Sequence, residues 1–521
     1  MGHKIILLLI LSIFFFNECR SQYSLEWIEN TTRPDSSRLY PIDLILDKSL
    51  NFYIVGDRYS VAKINPSGNQ LWNVSYNLPG FFMSGRSNAV TNDDSGNVYL
   101  TGEADSIYSN KDFLTMKYNQ NGIFQWSRYY DSPLPRSDRA YDIKIYNNKY
   151  LYVVGSNAYG DSGNCNFKWT LLKYDLNGNE IWRNQYCGYT GYIAGDYPPT
   201  PELAIDSNGS IIISGDNLDS ISYQTDLIVI KYDSSGNRIW QKEFSNTYQS
   251  SGLEVDLNHN IYIGSNSGLM KLNSDGDSLW HRFYINLIDI SFDSVQNIVL
   301  TRSVYQNPGY IYIINKIDPS SNDIWTVQSE YGYFPVSVYQ NQNDKIFLEA
   351  YGIGNQRYKY HTFVYNSDGT LFWNDVYELK GDTCCNPLKI ISDKNDNIYV
   401  SGIEYNTTYP TRKVLSLKYS ILTGNTFSET IIPDKFLLHQ NFPNPFNPKT
   451  VINYELPVTG NAELKVFDVL GNEVAVLVNE KQSAGNYKVE FDGSNFASGV
   501  YFYRLDVDGN IIGTKRMVLL K

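Results

Sequence analysis

Eight of the chain's nine tryptophans recur in one phase, and that repeat limits what the chain can become. They are Trp27, Trp72, Trp126, Trp182, Trp240, Trp280, Trp325 and Trp373, spaced by 45, 54, 56, 58, 40, 45 and 48 residues. A period of this size belongs to units that bury their apolar faces only against neighbours of the same kind, as in a propeller or other solenoid. One unit shows the grammar. Ala89-Val90-Thr91 reads as a short strand, and Asp94-Ser95-Gly96-Asn97 turns into the run 98–102. A variable loop leads to Phe113-Leu114-Thr115-Met116-Lys117-Tyr118, and Asn119-Gln120-Asn121-Gly122 turns into Gln125-Trp126-Ser127-Arg128-Tyr129. Four short β-rich runs joined by Asn/Asp/Gly turns make an antiparallel meander. The second-strand signature occurs eight times, at 52–56, 98–102, 151–155, 211–215, 261–264, 298–301, 346–350 and 398–402.

The two ends of the array explain each other. The last unit stops after its third strand, Leu415-Ser416-Leu417-Lys418-Tyr419, and the first strand of the array, Leu25-Glu26-Trp27-Ile28, carries only the tryptophan-bearing element. Docking one on the other closes a ring and hides the edges an open array would expose. The expectation is an all-β chain with an eight-bladed β-propeller over 22–425, or seven blades if the unit near 285–330 is irregular. The units resemble the repeat family named for seven-bladed propellers, with its Asp-x-x-Gly-Asn-Val-Tyr-Val-x-Gly pattern, over most of 42–419. That resemblance implies a fold and no single activity.

Both termini read as addresses. Lys4 precedes an apolar run over 5–16 broken only by Ser12, then come Asn17, Glu18, Arg20 and the small Ser21. This is the layout of a secretory signal peptide over 1–21, too short to span a membrane. Glu18 before Cys19 speaks against a lipid anchor. A linker is expected over 426–438, followed by short strands with turns at Gly471-Asn472, Ala484-Gly485, Ser498-Gly499 and Asp508-Gly509. Some seven strands over 439–521 suggest a small immunoglobulin-like sandwich. The block resembles the C-terminal sorting domain of type IX secretion cargo from Bacteroidetes and their relatives. The resemblance rests on Pro443, Asn444 and Pro445, then Asp468, Gly471, Gly485, Tyr487, Gly499, Tyr501 and Lys515 in order. It implies export through the periplasm, recognition by an outer-membrane translocon and its sorting machinery, and release or attachment at the cell surface.

Chemistry is harder to read. The net charge of −12 excludes a basic nucleic-acid groove. His259, His281, His361 and His439 are scattered without metal spacing, so no metal ligands are assigned. There is no nucleophile elbow or phosphate loop, and the catalytic residues are unknown. Asp175-Leu176-Asn177-Gly178-Asn179 and Asp393-Lys394-Asn395-Asp396-Asn397 resemble calcium-loop openings, but tight hairpins demand the same residues. Calcium is therefore the one ion left open, and no other cofactor is expected. Cys165 and Cys187 flank two strands of one unit, placed for a disulfide in an oxidising compartment. The vicinal Cys384-Cys385, with the Gly-Asn-x-x-Trp motifs, resembles the quinoprotein dehydrogenases, which implies pyrroloquinoline quinone over a vicinal disulfide. Tyr189, Tyr192 and Tyr197, in a long loop between two units, are the candidate ligand-binding residues. The reading is an exported binding protein for a polysaccharide, a surface glycan or a protein. The alternative is a propeller enzyme, either a glycan-active hydrolase or lyase or a quinoprotein-like dehydrogenase.

Overall fold

The tight turns come first, because they set the register of everything else. Asp93 locks one of them: Oδ1 accepts the N–H groups of Ser95 and Asn97 at 3.0 and 2.9 Å, and Oδ2 accepts the Tyr99 hydroxyl at 2.9 Å. Gly96 completes the turn at φ +75°, a conformation that a side chain disfavours. Asp47, Asp256 and Asp393 repeat the lock with Tyr53, Tyr262 and Tyr399.

Every regular element of the computed structural model is a β-strand. It describes residues 23–32, 41–76, 85–105, 111–132, 137–158, 167–187, 200–218, 225–245, 250–265, 268–307, 309–352, 359–378, 383–406, 412–421 and 436–520, apart from 439, 442, 443, 445 and 484. The chain divides into two compact units between Leu422 and Thr423.

The first unit holds eight four-stranded antiparallel sheets. Seven are consecutive meanders, such as Gly85–Asn92, Val98–Asp105, Lys111–Tyr118 and Phe124–Tyr130. The eighth joins Thr383–Ser392, Ile398–Asn406 and Arg412–Ile421 to Tyr23–Thr31, pairing Tyr23 with Ile421 and Thr31 with Val414. The orphan strand lies where its sequence implies. The stretch near 285–330, weakest in sequence, forms a complete sheet from Leu287–Phe292 to Asp323–Gln328. First strands of successive sheets touch in chain order, and Pro41–Leu46 also touches Thr383–Ser392. The arrangement is that of a β-propeller.

The tryptophans stitch neighbouring sheets together. Trp72 Nε1 donates to Gln120 O at 3.0 Å, Trp126 to Leu176 O at 3.2 Å, and Trp240 to Ser274 O at 3.0 Å, each in the outer turn of the next sheet. Trp27 does the same to Pro66 O at 3.1 Å, across the ring's seam. The rings lie on turn glycines: a Cβ on Gly178 (φ +79°) would come within 2.8 Å of the Trp126 ring. On Gly96 the nearest atoms would be 3.4 Å away. Both substitutions to Ala meet the strain of positive φ, about 1–2 kcal/mol. Gly178→Ala should therefore lose about 1–2 kcal/mol more than Gly96→Ala, read as a difference in urea midpoint.

The second unit packs two antiparallel sheets over one core. One sheet orders Leu437–Leu438, Lys449–Leu456 and Gly485–Asp492; the other orders Glu473–Gln482, Gly460–Phe467, Gly499–Val507 and Asn510–Leu519. Ile452, Tyr454, Leu464, Tyr503 and Met517 fill the space between them. Leu437–Leu438, expected as linker, pairs with Glu455 and Tyr454, and Leu438 is buried in this core. An apolar pair beside an open sheet edge is drawn into it, so the linker ends earlier than its composition indicates.

Candidate functional site

The tight turns occupy one end of each sheet, which leaves the hairpins between second and third strands, and the crossings between sheets, at the other. Tyr189, Tyr192 and Tyr197 lie outside the described residues, as does Cys165. Cys187 ends the strand Glu180–Cys187 and is disulfide-bonded. Cys384 and Cys385 stand in the strand Thr383–Ser392, in register with Tyr405 and Glu404.

Two features that sequence spacing missed occupy this loop end. The first is a row of aromatic rings across two sheets. Tyr305 and Tyr310 face each other at the tip of the hairpin formed by Ile298–Gln306 and Gly309–Ile317, with ring centroids 5.2 Å apart. Tyr310 meets Phe334 of the next sheet at 5.5 Å, and Phe334 stacks on Tyr351 at 5.3 Å. Tyr305 is 61 % exposed, while Tyr310, Phe334 and Tyr351 are half-buried. The second is a trio of carboxylates, Asp112, Asp131 and Asp138, whose ligand-capable oxygens all lie within 4.8 Å of one another. Burial pushes Asp112 up to about 6, helped by Asp131, and Asp138 up to about 7. No local motif joins them, because they come from the ends of three different strands.

The ring's inner strands carry a third set. Asp142 Oδ1 accepts its neighbour Ile143 N–H at 2.7 Å, and Oδ2 accepts Leu203 N–H of the next sheet at 3.1 Å. Asp289 repeats this with Ile290 at 2.9 Å and Val338 at 3.0 Å, and burial pushes it up to about 6. Asp43 pairs with Lys389 across the seam, and Lys144 stands 3.6 Å from Asp142. Burial also raises Glu254, which Lys144, Asp289 and Asp142 surround electrostatically. Backbone N–H groups thus hold both oxygens of Asp142 and of Asp289, so these two act as ties between inner strands.

At the acidic turns, Asp175 Oδ1 accepts the N–H groups of Asn177 and Asn179 at 2.9 and 2.8 Å, and Oδ2 accepts Asn179 Nδ2 at 2.8 Å. Asp393 is engaged in the same way by Asn395 and Asn397. N–H donors fill the positions a calcium loop would aim at a cation. His281 and His361 stand in the strands Ser278–Phe283 and Tyr360–Tyr365, His259 stands in the turn before Ile261–Ser265, and His439 lies outside the described residues.

In the second unit, Asn444 clamps the terminal strand: its Oδ1 accepts Val518 N–H at 2.8 Å and its Nδ2 donates to Arg516 O at 3.1 Å. Pro443 and Pro445 lie outside the described residues. Asp468 locks the Gly471 turn, Tyr487 stacks on Tyr454 at 5.3 Å, and the Tyr501 hydroxyl donates to Ala497 O at 2.8 Å. Gly485 opens Gly485–Asp492, Gly499 opens Gly499–Val507, and Lys515 pairs with Tyr503. Residues 440–519 match the family described as the secretion system C-terminal sorting domain. They are a type IX sorting tail. The tail marks its chain for export by the type IX system to the cell surface or outside the cell.

No curated protein matches this type IX cargo. Among solved structures, it is similar to the quinohemoprotein alcohol dehydrogenase from Comamonas testosteroni, at 11% identity and a TM-score of 0.52, covering 81% of this chain and 79% of that one. It is also similar to YCF48 bound to D1 peptide, at 12% identity and a TM-score of 0.40 over 78% of this chain and 99% of that one. The polysaccharide lyase Uly1 matches at 10% identity and a TM-score of 0.40, over 76% and 99%. The first likeness supports the propeller fold and carries nothing about activity.

Proposed function

We propose that residues 22–425, freed from a signal peptide over 1–21, form an eight-bladed propeller that binds a ligand outside the cell. Residues 439–521 are its immunoglobulin-like delivery domain, read by the outer-membrane translocon. The observation that carries the binding reading is the aromatic row Tyr305, Tyr310, Phe334 and Tyr351 on the loop end. Rings that leave part of their surface open on a rigid scaffold offer apolar area and hydroxyl groups at low entropic cost, which suits sugars. A polysaccharide or surface glycan is the preferred ligand, and a protein partner is second.

The test is a thermal-shift panel of polysaccharides on the whole chain, followed by calorimetry on Tyr305→Ala and Phe334→Ala. A ligand at a hundred times its dissociation constant adds about 2.7 kcal/mol, which a melt resolves. Tyr305→Ala should weaken that ligand about tenfold while leaving the unliganded melt in place, since Tyr305 is largely exposed. Unchanged affinity in both variants, or no glycan bound at all, defeats the glycan reading.

The alternative is an enzyme on the same fold, a dehydrogenase being among the similar structures. Glu254, on the inner strand Ser250–Val255, is a carboxyl that desolvation raises, the property an acid catalyst needs. Turnover of a bound glycan that Glu254→Gln abolishes would establish this alternative. A melt that shifts only with pyrroloquinoline quinone plus calcium would establish the quinoprotein form.

A further inference from the structure

We propose that the type IX machinery holds the second unit by the Val469-Leu470 turn and the outer face of the sheet behind it, in an apolar cleft edged with carboxylates. That sheet is the one formed by Glu473–Gln482, Gly460–Phe467, Gly499–Val507 and Asn510–Leu519. The inference rests on the reading of this unit as the delivery domain, and adds where and by what chemistry it is gripped.

The turn is built like those of the propeller and furnished differently. Asp468 Oδ1 accepts the N–H groups of Leu470 and Asn472, each at 2.9 Å, and Oδ2 accepts Asn472 Nδ2 at 2.9 Å. Asp93, Asp175, Asp233 and Asp318 make the same lock, and the residue two places on is Ser95, Asn177, Ser235 or Ser320. Small polar residues are what such turns ask for. Others admit one apolar side chain at the tip, as at Leu257 or Val295; among the described turns of this build, only the Asp468 turn carries two. Val469 is 66% exposed and Leu470 is 82% exposed, so neither stabilises the fold by burial.

The face behind the turn continues the apolar surface. Phe467, just before the tip, stands opposite Phe502, Val500 opposite Val518, and Phe502 opposite Arg516. These residues alternate with the buried Val466, Tyr501, Tyr503 and Met517, so they point away from the core, and both phenylalanines and both valines are only half-buried. The outer face of the opposing sheet is polar instead: Lys449, Asn453, Glu490 and Asp492 lie there, and Lys449 pairs with the two carboxylates at 2.6 and 3.9 Å. A contiguous apolar strip left open to water marks a contact surface.

Charge names the partner's chemistry. The Arg504 guanidinium lies 4.8 Å from the centre of the Phe467 ring, and Arg516 is exposed beside Phe502. Neither makes an ion pair among the described residues, whereas Lys465, on the same face, holds Glu463 at 2.8 Å and Glu473 at 3.6 Å. Aromatic rings and arginines are the side chains that interface centres favour, and two uncommitted guanidiniums match carboxylates on the rim of an apolar cleft. All of these side chains fall within 440–519, the stretch that matches the sorting family. A unit that marks its chain for export is touched by whatever reads the mark, and this is the face it leaves unfinished.

The test follows export of the whole chain in a host that carries the type IX machinery, comparing protein outside the cell with protein held in the periplasm. Val469→Ser with Leu470→Asn installs the residues that the propeller's own turns use. The purified variant should melt within about 2 °C of the parent, as exposed substitutions do. Its export should fall about tenfold or more, the loss expected of a central apolar contact. Arg504→Glu with Arg516→Glu should be retained in the same way, while the two lysine substitutions, which keep the charge, should recover most of the export. Parental export from both the turn variant and the glutamate pair overturns the surface. A melting shift that accounts for the lost export also overturns it, by giving these side chains a role in the fold. So does a dimer of the purified parent that the variants break, which would assign the face to a second copy. A chain ending at residue 425 separates this inference from the delivery reading: if that chain is retained while the variants are exported, only the surface fails, and if it is exported, both fail.

Discussion

A chain lacking residues 22–31 is expected to lose the cooperative unfolding of its first unit. Tyr23–Thr31 is the outer strand of the sheet that closes the ring, in register with Val414 to Ile421. It brings two aromatic anchors. Tyr23 is 3% exposed, with its ring 5.0 Å from Trp373, and Trp27 spans the seam to Pro66 O beside Gly68. Glu26 also pairs with Lys418 at 2.7 Å, and Lys418 Nζ donates to Pro66 O at 2.8 Å. Losing a large buried aromatic costs about 3–5 kcal/mol, so Tyr23 alone accounts for that much before the half-buried Trp27 and the unpaired edge are counted. That is comparable to the lower end of a typical domain's whole stability, about 5–15 kcal/mol. Circular dichroism through a urea titration should show a broad or missing transition for the shortened chain. A transition as sharp and as late as the parent's would contradict ring closure by this strand.

The second large effect concerns pH. Glu349 is fully buried in Ile346–Gly352; the Thr362 hydroxyl donates to its Oε2 at 2.8 Å, and burial pushes its carboxyl up to about 8. Asp375 and Tyr419 are its titratable neighbours. The folded protein keeps this proton while the unfolded chain releases it near 4.5. The folded state therefore binds more protons between those values. The associated stability is complete below about 4.5 and is lost as the pH climbs through about 8. A tenfold change in proton affinity is about 1.4 kcal/mol, so ionised Glu349 costs roughly 5 kcal/mol by about pH 9. Asp138, Asp112 and Asp289, pushed up to about 7, 6 and 6, act in the same direction. The turn carboxyls Asp47 and Asp175, which their asparagine hydrogen bonds hold low against burial, act oppositely and only in acid. The melting temperature should thus fall steadily from about pH 5 to about pH 9. Glu349→Gln should flatten that slope and melt above wild type at the alkaline end. A parallel slope in the variant would place the titration elsewhere.

The fold was legible because its signals are local and repeat in phase. Asp-x-x-Gly-Asn turns and one tryptophan per unit mark strand ends directly, and they make the single strand around Trp27 stand out as a closing piece. One further periodic signal carries packing: Lys63, Lys117, Lys173, Lys231, Lys271 and Lys316 stand nine residues before Trp72, Trp126, Trp182, Trp240, Trp280 and Trp325. In the structure these lysines donate to the turn that their tryptophan ring contacts, as Lys117 does to Leu176 O and Lys271 to Pro319 O. The candidate sites have no such period. Asp112, Asp131 and Asp138 meet only because three strand ends converge, and Tyr310 reaches Phe334 only across two sheets. Glu349 escapes a pattern search for another reason. It stands where Thr101, Thr301 and Ser401 stand in other sheets, and nothing local says that position is buried.

The pairing of first strand with last also sets a timetable. Glu26 meets Ser420, 394 residues further along the chain. A chain that emerges from its amino terminus first shows its opening strand early and keeps it waiting, single and sticky, until the array behind it has arrived. Only then can the circle shut. The sorting tail follows still later, so the label that secretion reads is finished after its cargo has every piece needed to close. A machine that waits for the label therefore receives, without inspecting the ring, a chain whose ring is complete in parts.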